Sequence, residues 1–197
     1  MYYHLLKAFW DMKSGGAPSA ADGISPFVNE LDLYITATDL RGKRVRLPVA
    51  NAEAEELRFR TVFHFNYHTE RKEDGGERFP VNDFEEGNDP FLAYAARCTS
   101  SFPFAFAPMR LKDIEETLKM RDFEGSAYRY DPQKWRGFYE GYDPKTDGDV
   151  SLRSFGDGGY LDNKPFSYIT DGLLLRRAEE IPGLVNVYSW RNTPRMS

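Results

Sequence analysis

The sequence has 197 residues, 41% of them hydrophobic and 15% aromatic, which is enough for one sizeable core and suggests one domain or most of one. The net charge of −5 excludes a general nucleic-acid binder, because phosphate recognition draws on a clustered excess of Lys and Arg. The single cysteine, Cys98, excludes an internal disulfide and suits a cytoplasmic protein. No run approaches the roughly eighteen apolar residues of a membrane span, so any membrane contact is expected to be peripheral.

Along the chain, Tyr2, Leu5, Leu6, Phe9 and Trp10 recur at helical spacing, while Lys7 and Asp11 break any signal-like apolar run. This predicts a short amphipathic helix that packs on the core. Residues 14–23 are rich in Gly, Ala, Ser and Pro and read as a connection. Residues 30–40 predict a largely buried strand, and Arg41-Gly42-Lys43 a turn into a second strand over 45–49, the two forming a hairpin. Residues 50–58 are acidic and helix-prone. Residues 59–68 alternate strictly, with Phe59, Thr61, Phe63, Phe65 and Tyr67 on one face of a strand. His64 and His68 are four apart, a spacing that favours a shared metal on a helix, whereas the alternation says strand and no third ligand accompanies them. No metal site is expected there. Residues 70–88 read as a charged, solvated loop.

Asp89-Pro90 opens a helix that Pro103 stops. Arg97 lies on it, and Cys98 has no histidine partner in the sequence, so it reads as a small buried thiol. Residues 112–150 form an aromatic-rich insertion carrying Tyr128, Tyr130, Trp135, Phe138, Tyr139 and Tyr142 among Gly, Asp and Pro. Such rings either pack the segment onto its own domain, the favoured reading, or form a substrate-facing lid. Residues 143–149 superficially resemble a calcium loop, but Lys145 and Ser154 stand where ligands are needed, so calcium is rejected. A short strand then ends at Asp157-Gly158-Gly159, and Asn163 with Pro165 opens a helix, turning the backbone sharply around one carboxylate. The plainest local reading is an Asp that caps its own turn. Tyr168, Leu173, Leu174, Leu175 and Ala178 predict a helix ending before Pro182, and 184–190 a last strand. Strands separated by helices, with a hairpin between them, predict an α/β layered protein with a mixed sheet.

Asp157-Gly158-Gly159, a short gap, then Asn163-Lys164-Pro165 resembles the second catalytic block of the patatin-like phospholipases and lipid acyl hydrolases, in particular a bacterial patatin-related branch. Three further blocks resemble that family in order. They are Leu31-Asp32-Leu33-Tyr34-Ile35-Thr36-Ala37-Thr38-Asp39-Leu40, Ala95-Ala96-Arg97-Cys98-Thr99-Ser100-Ser101-Phe102-Pro103 with Phe106-Ala107-Pro108, and residues 166–179. The resemblance spans about residues 31–190. It implies a patatin-like α/β/α layered domain with a mixed central sheet, and a lipid or fatty-acyl ester substrate split by a Ser-Asp dyad without metal or cofactor. It also implies Asp157 as the catalytic carboxylate, Gly158 and Gly159 as its geometric support, Asn163 as the matching residue of the next turn, and Arg97 in a buttress below the site.

Two parts of the family pattern are missing. No serine stands in Gly-x-Ser-x-Gly, and no Gly-rich oxyanion loop precedes Leu31. Family order places both before the first residue, so residues 1–197 are expected to be one partial patatin-like domain, truncated at its N-terminus, inactive alone and prone to self-association. The alternatives are a noncatalytic patatin-like lipid- or protein-binding module, and an unrelated α/β scaffold with a chance Asp-Gly-Gly turn.

Overall fold

A computed structural model describes residues 1–14, 28–49, 52–72, 78–102, 105–139, 141–161, 167–168 and 170. Two long strands, β1 (Glu30–Val49) and β2 (Ala52–Lys72), pair antiparallel from Glu30↔His68 to Val49↔Ala52. The expected hairpin turn at Arg41-Gly42-Lys43 is instead a bulge inside β1. From Thr38 to Lys43 the strand advances five residues while β2 advances two, from Arg60 to Arg58. Gly42 takes φ 72° there, a left-handed conformation that glycine adopts freely. Both halves of β1 therefore pair with β2. The helix expected over 50–58 is a strand from Ala52 onward, because pairing with β1 overrides the local preference of Glu and Ala. Arg44 and Glu55, 3.6 Å apart, join the two strands.

Strand β3 (Arg78–Asn82) pairs with the outer edge of β2 within the span expected to be a loop. Strands β4 (Met109–Arg110) and β5 (Ser154–Asp157) complete a five-stranded sheet of order β3-β2-β1-β5-β4. Among the described residues every pairing is antiparallel, where mixed direction was expected; β1–β2 and β2–β3 are consecutive antiparallel neighbours, while β5 joins β1 and β4 from far along the chain. The architecture is mixed α/β. The expected helix beyond Pro165 and strand at 184–190 lie almost wholly outside the described residues.

Alternation on β2 directs Thr61, Phe63, Phe65 and Tyr67 into the interior, while Phe59, at the bulge, is 39% exposed. Helix α1 (Tyr2–Ser14) buries Tyr2 and Leu6, and the Tyr2 hydroxyl donates to the Pro90 carbonyl at 3.1 Å. Helix α2 (Asp89–Thr99) begins where the Asp-Pro pair predicts. Its Asp89 carboxylate turns away from the helix end to accept from Lys13 Nζ at 2.8 Å and from the Tyr128 hydroxyl at 3.1 Å.

The rings of the 112–150 segment complete the core. Phe138 stacks on Phe91 at 4.8 Å, Tyr139 meets Phe63 edge-on at 5.9 Å, and Trp135 is fully buried beside Phe91. The chain divides into a unit over Met1–Asn163, which holds every element above, and a unit over Lys164–Ser197. In the second unit Ser167, Tyr168 and Thr170 are helical, with the Thr170 hydroxyl donating to the Ser167 carbonyl at 3.0 Å. No described helix is long and apolar enough to cross a membrane.

Candidate functional site

Asp157 ends β5, an interior strand that pairs with β1 through Ala37↔Asp157, Thr38↔Gly156 and Asp39↔Phe155, and with β4 through Met109↔Phe155. Its backbone is pinned, because the Thr38 hydroxyl donates to the Asp157 carbonyl at 2.8 Å. The chain then turns through one 3-10 helical turn over Gly158–Tyr160. The Gly159 N–H donates to Asp157 Oδ1 at 2.7 Å, so the carboxylate caps the turn it begins. Gly158 lies so close to β1 that a Cβ there would overlap both the hydroxyl and the carbonyl of Thr36. That approach, rather than a left-handed backbone, is what requires glycine. Among the described residues Gly159 N–H is the one donor to the Asp157 carboxylate, and the residue is partly buried.

Arg97 occupies the last turn of α2 and is 9% exposed. Its guanidinium donates to the Ser101 hydroxyl and, at 3.1 Å, to the Ala107 carbonyl, and lies 5.4 Å from the centre of the Phe106 ring. The Ser101 hydroxyl in turn donates to the Arg97 carbonyl at 2.9 Å. Arg97 thus ties Ser101 and Ala107 to the end of a helix that packs against β5 and the 158–160 turn. Its hydrogen bonds do not reach Asp157. Asn163 lies outside the described residues.

A cavity of about 360 Å³ lies within the 111–151 segment, lined among others by Leu111, Gln133, Arg136, Tyr139, Tyr142 and Asp149. Neither Asp157 nor Arg97 lines it. Cys98 is fully enclosed, and burial pushes its thiol up to about 12, far from the thiolate a nucleophile needs.

Two groupings were not visible in the linear sequence. The first is a buried ionic network: Arg153 Nε donates to Asp39 Oδ2 at 2.8 Å, the Tyr142 hydroxyl donates to the same oxygen at 3.0 Å, and Arg153 Nη1 donates to the Asp147 carbonyl at 3.0 Å. The second is a polar row across β1 and β2, where Glu30, Asp32, His64, Asn66 and His68 share the face opposite the aromatic core. The partners expected to be lacking around the two histidines arrive from the neighbouring strand, which spacing along one strand does not reveal.

No protein-family description, curated protein or solved structure matches this chain. The chemistry at Asp157 therefore rests on geometry: a carboxylate positioned by one backbone N–H, and no hydroxyl or thiol bonded to it among the described residues.

Proposed function

We propose that this chain supplies the carboxylate half of a Ser-Asp lipid acyl hydrolase of the phospholipase A or esterase type, and that its sheet and helices are part of a patatin-like α/β/α domain. The observation that carries the reading is the seat of Asp157: the end of an interior strand, on a turn whose Gly158 admits no side chain against Thr36. An aspartate is a weak base for a serine hydroxyl, so it serves only when it is held in place and an oxyanion site shares the developing charge. Gly159 N–H and the Thr38 hydroxyl do the holding, one at the carboxylate and one at the backbone. Arg97 acts at a distance as a buttress, through its hydrogen bonds to Ser101 and Ala107.

No serine of the sequence stands in Gly-x-Ser-x-Gly, so the proposal assigns the nucleophile and the oxyanion donors to sequence outside these residues. The substrate is a lipid or fatty-acyl ester met in the cytoplasm or at a membrane surface. The reaction proceeds through an acyl-serine that water releases, with Asp157 taking the serine proton and returning it to the leaving alcohol.

The test is to read the coding frame on the amino-terminal side of Met1 and to express everything it encodes. A Gly-x-Ser-x-Gly elbow, with ester hydrolysis that Asp157→Asn lowers by about 10²–10⁴-fold, is the expected result. A frame that encodes no such serine, or hydrolysis indifferent to Asp157→Asn, overturns the reading. It would favour a noncatalytic lipid- or protein-binding module.

A further inference from the structure

We propose that Glu30, Asp32 and His68 form a binding site for a divalent transition-metal ion of the zinc class, on the sheet face opposite the aromatic core and independent of Asp157. One donor atom from each of the three lies within 4.8 Å of the others. The register explains how they meet. Glu30 pairs with His68 across the β1–β2 ladder, and Asp32 follows two residues later on the same face, so three donors converge from two strands. Zinc holds its ligands at about 2.0–2.2 Å, so small side-chain rotations close such a set around one ion.

Polar side chains of the same face surround the three donors. His68 Nε2 lies 3.2 Å from the Asn66 side-chain oxygen, and Asn66 Nδ2 lies 2.8 Å from His64 Nε2, so one amide spans both histidines. His68 Nδ1 is the atom that faces Glu30 Oε1, at 3.7 Å. A polar partner on the second ring nitrogen is the usual support of a ligating histidine. His64 Nε2 stands 2.9 Å from Asp32 Oδ1, and its ring stacks on Tyr34 at 4.2 Å, nearly coplanar. His64 is therefore a positioning residue that orients the Asp32 carboxylate.

Charge and softness narrow the ion. Two carboxylates neutralise a dication, and an imidazole nitrogen favours zinc or a neighbouring late transition metal over calcium and magnesium, which prefer all-oxygen shells. Three protein ligands leave one position of a tetrahedral ion for water or another ligand.

Calorimetric titration of the whole chain with zinc chloride tests the assignment. The expected result is one site per chain, with an affinity that falls at least about tenfold in Asp32→Asn and in His68→Gln and is unchanged in His4→Gln, which alters the remaining histidine. Excess magnesium or calcium should not displace the zinc. Far-UV circular dichroism without metal shows whether each variant folds. Should a variant fail to fold, the visible absorption of the cobalt-loaded unaltered chain decides, because an ion held by imidazole and carboxylates gives a spectrum unlike aqueous cobalt. Absence of zinc binding, affinity indifferent to Asp32→Asn and His68→Gln, or an aqueous cobalt spectrum overturns the proposal.

Discussion

Arg153 Nε donates to Asp39 Oδ2 at 2.8 Å across 114 residues of chain, and both side chains are sealed from solvent. The pair sits at the β1 bulge. Asp39 also accepts from the Arg41 N–H at 2.9 Å, and Arg153 donates to the Gly42 carbonyl, so the bulge closes around the two charges. The Tyr142 hydroxyl bridges Asp39 and Thr61, at 3.0 and 2.8 Å, which ties the 112–150 segment to β1 and β2 at the same point.

Arg153→Met should therefore destabilise the protein by about 3–5 kcal/mol, since it leaves the Asp39 carboxylate enclosed without its cation. Adding Asp39→Asn to that variant should restore part of the loss, because the uncompensated charge is gone. Urea denaturation of the two variants measures both effects. A single variant with an unshifted midpoint would show that the bulge does not depend on the pair.

Trp135 tests whether the 112–150 segment belongs to the core. It is fully buried, 5.8 Å from the Phe91 ring, and its Nε1–H has no acceptor among the described residues. Trp135→Ala should cost about 3–5 kcal/mol through lost burial and the cavity left behind. Trp135→Phe keeps most of the ring contact and removes an unsatisfied N–H, so it should cost far less. If both variants melt with the unaltered protein, the segment is a flap detached from the core's energetics.

The local signals in the sequence were the ones that carried through. Alternation placed Thr61, Phe63, Phe65 and Tyr67 on one buried face, and Asp89-Pro90 marked the start of α2. The turn at Asp157 was also legible, since Gly159 N–H meets the carboxylate as an Asp-Gly-Gly turn suggests. Register was not legible. Arg41-Gly42-Lys43 carries the chemistry of a hairpin turn, yet the longer pairing with β2 kept β1 continuous and made a bulge of it. That pairing brought Glu30 and Asp32 beside His68, and the pairing of β1 with β5 brought Arg153 beside Asp39. Both groupings depend on contacts made after the strands meet, so neither has a signature along the chain.

Gly158 should be the most demanding glycine of the Asp157 turn. In Gly158→Ala the new Cβ overlaps the Thr36 carbonyl, which belongs to a paired strand and has little freedom to retreat. The expected loss is about 1–3 kcal/mol, the usual range for overpacking. Exchange of the Gly159 amide should also accelerate, because its bond to Asp157 depends on the turn. Gly137→Ala is the control: a Cβ there meets nothing within 4 Å, so stability should hold or rise by about 0.4–1 kcal/mol. Equal behaviour of the two variants would contradict the close approach at Thr36.

Cys98 sets a limit on alkaline stability. Burial raises its thiol from 9.0 to about 12, although the neighbouring Tyr94 and Arg97 pull the other way. Above about pH 9 the unfolded chain loses a proton that the native chain keeps, so the native state binds more protons and stability falls as pH rises. The slope from this one group approaches 1.4 kcal/mol per pH unit until the native thiol itself ionises near 12. Tyr94 and Tyr139, both raised by burial, add losses of the same sign at higher pH. Below about pH 8 none of these groups contributes a slope. Urea midpoints measured from about pH 8 to pH 10 should thus decline in the unaltered protein and decline less steeply in Cys98→Ala, while a thiol reagent labels Cys98 only after denaturation. Parallel pH profiles for the two proteins, or prompt labelling of the native chain, would place the thiol within reach of water.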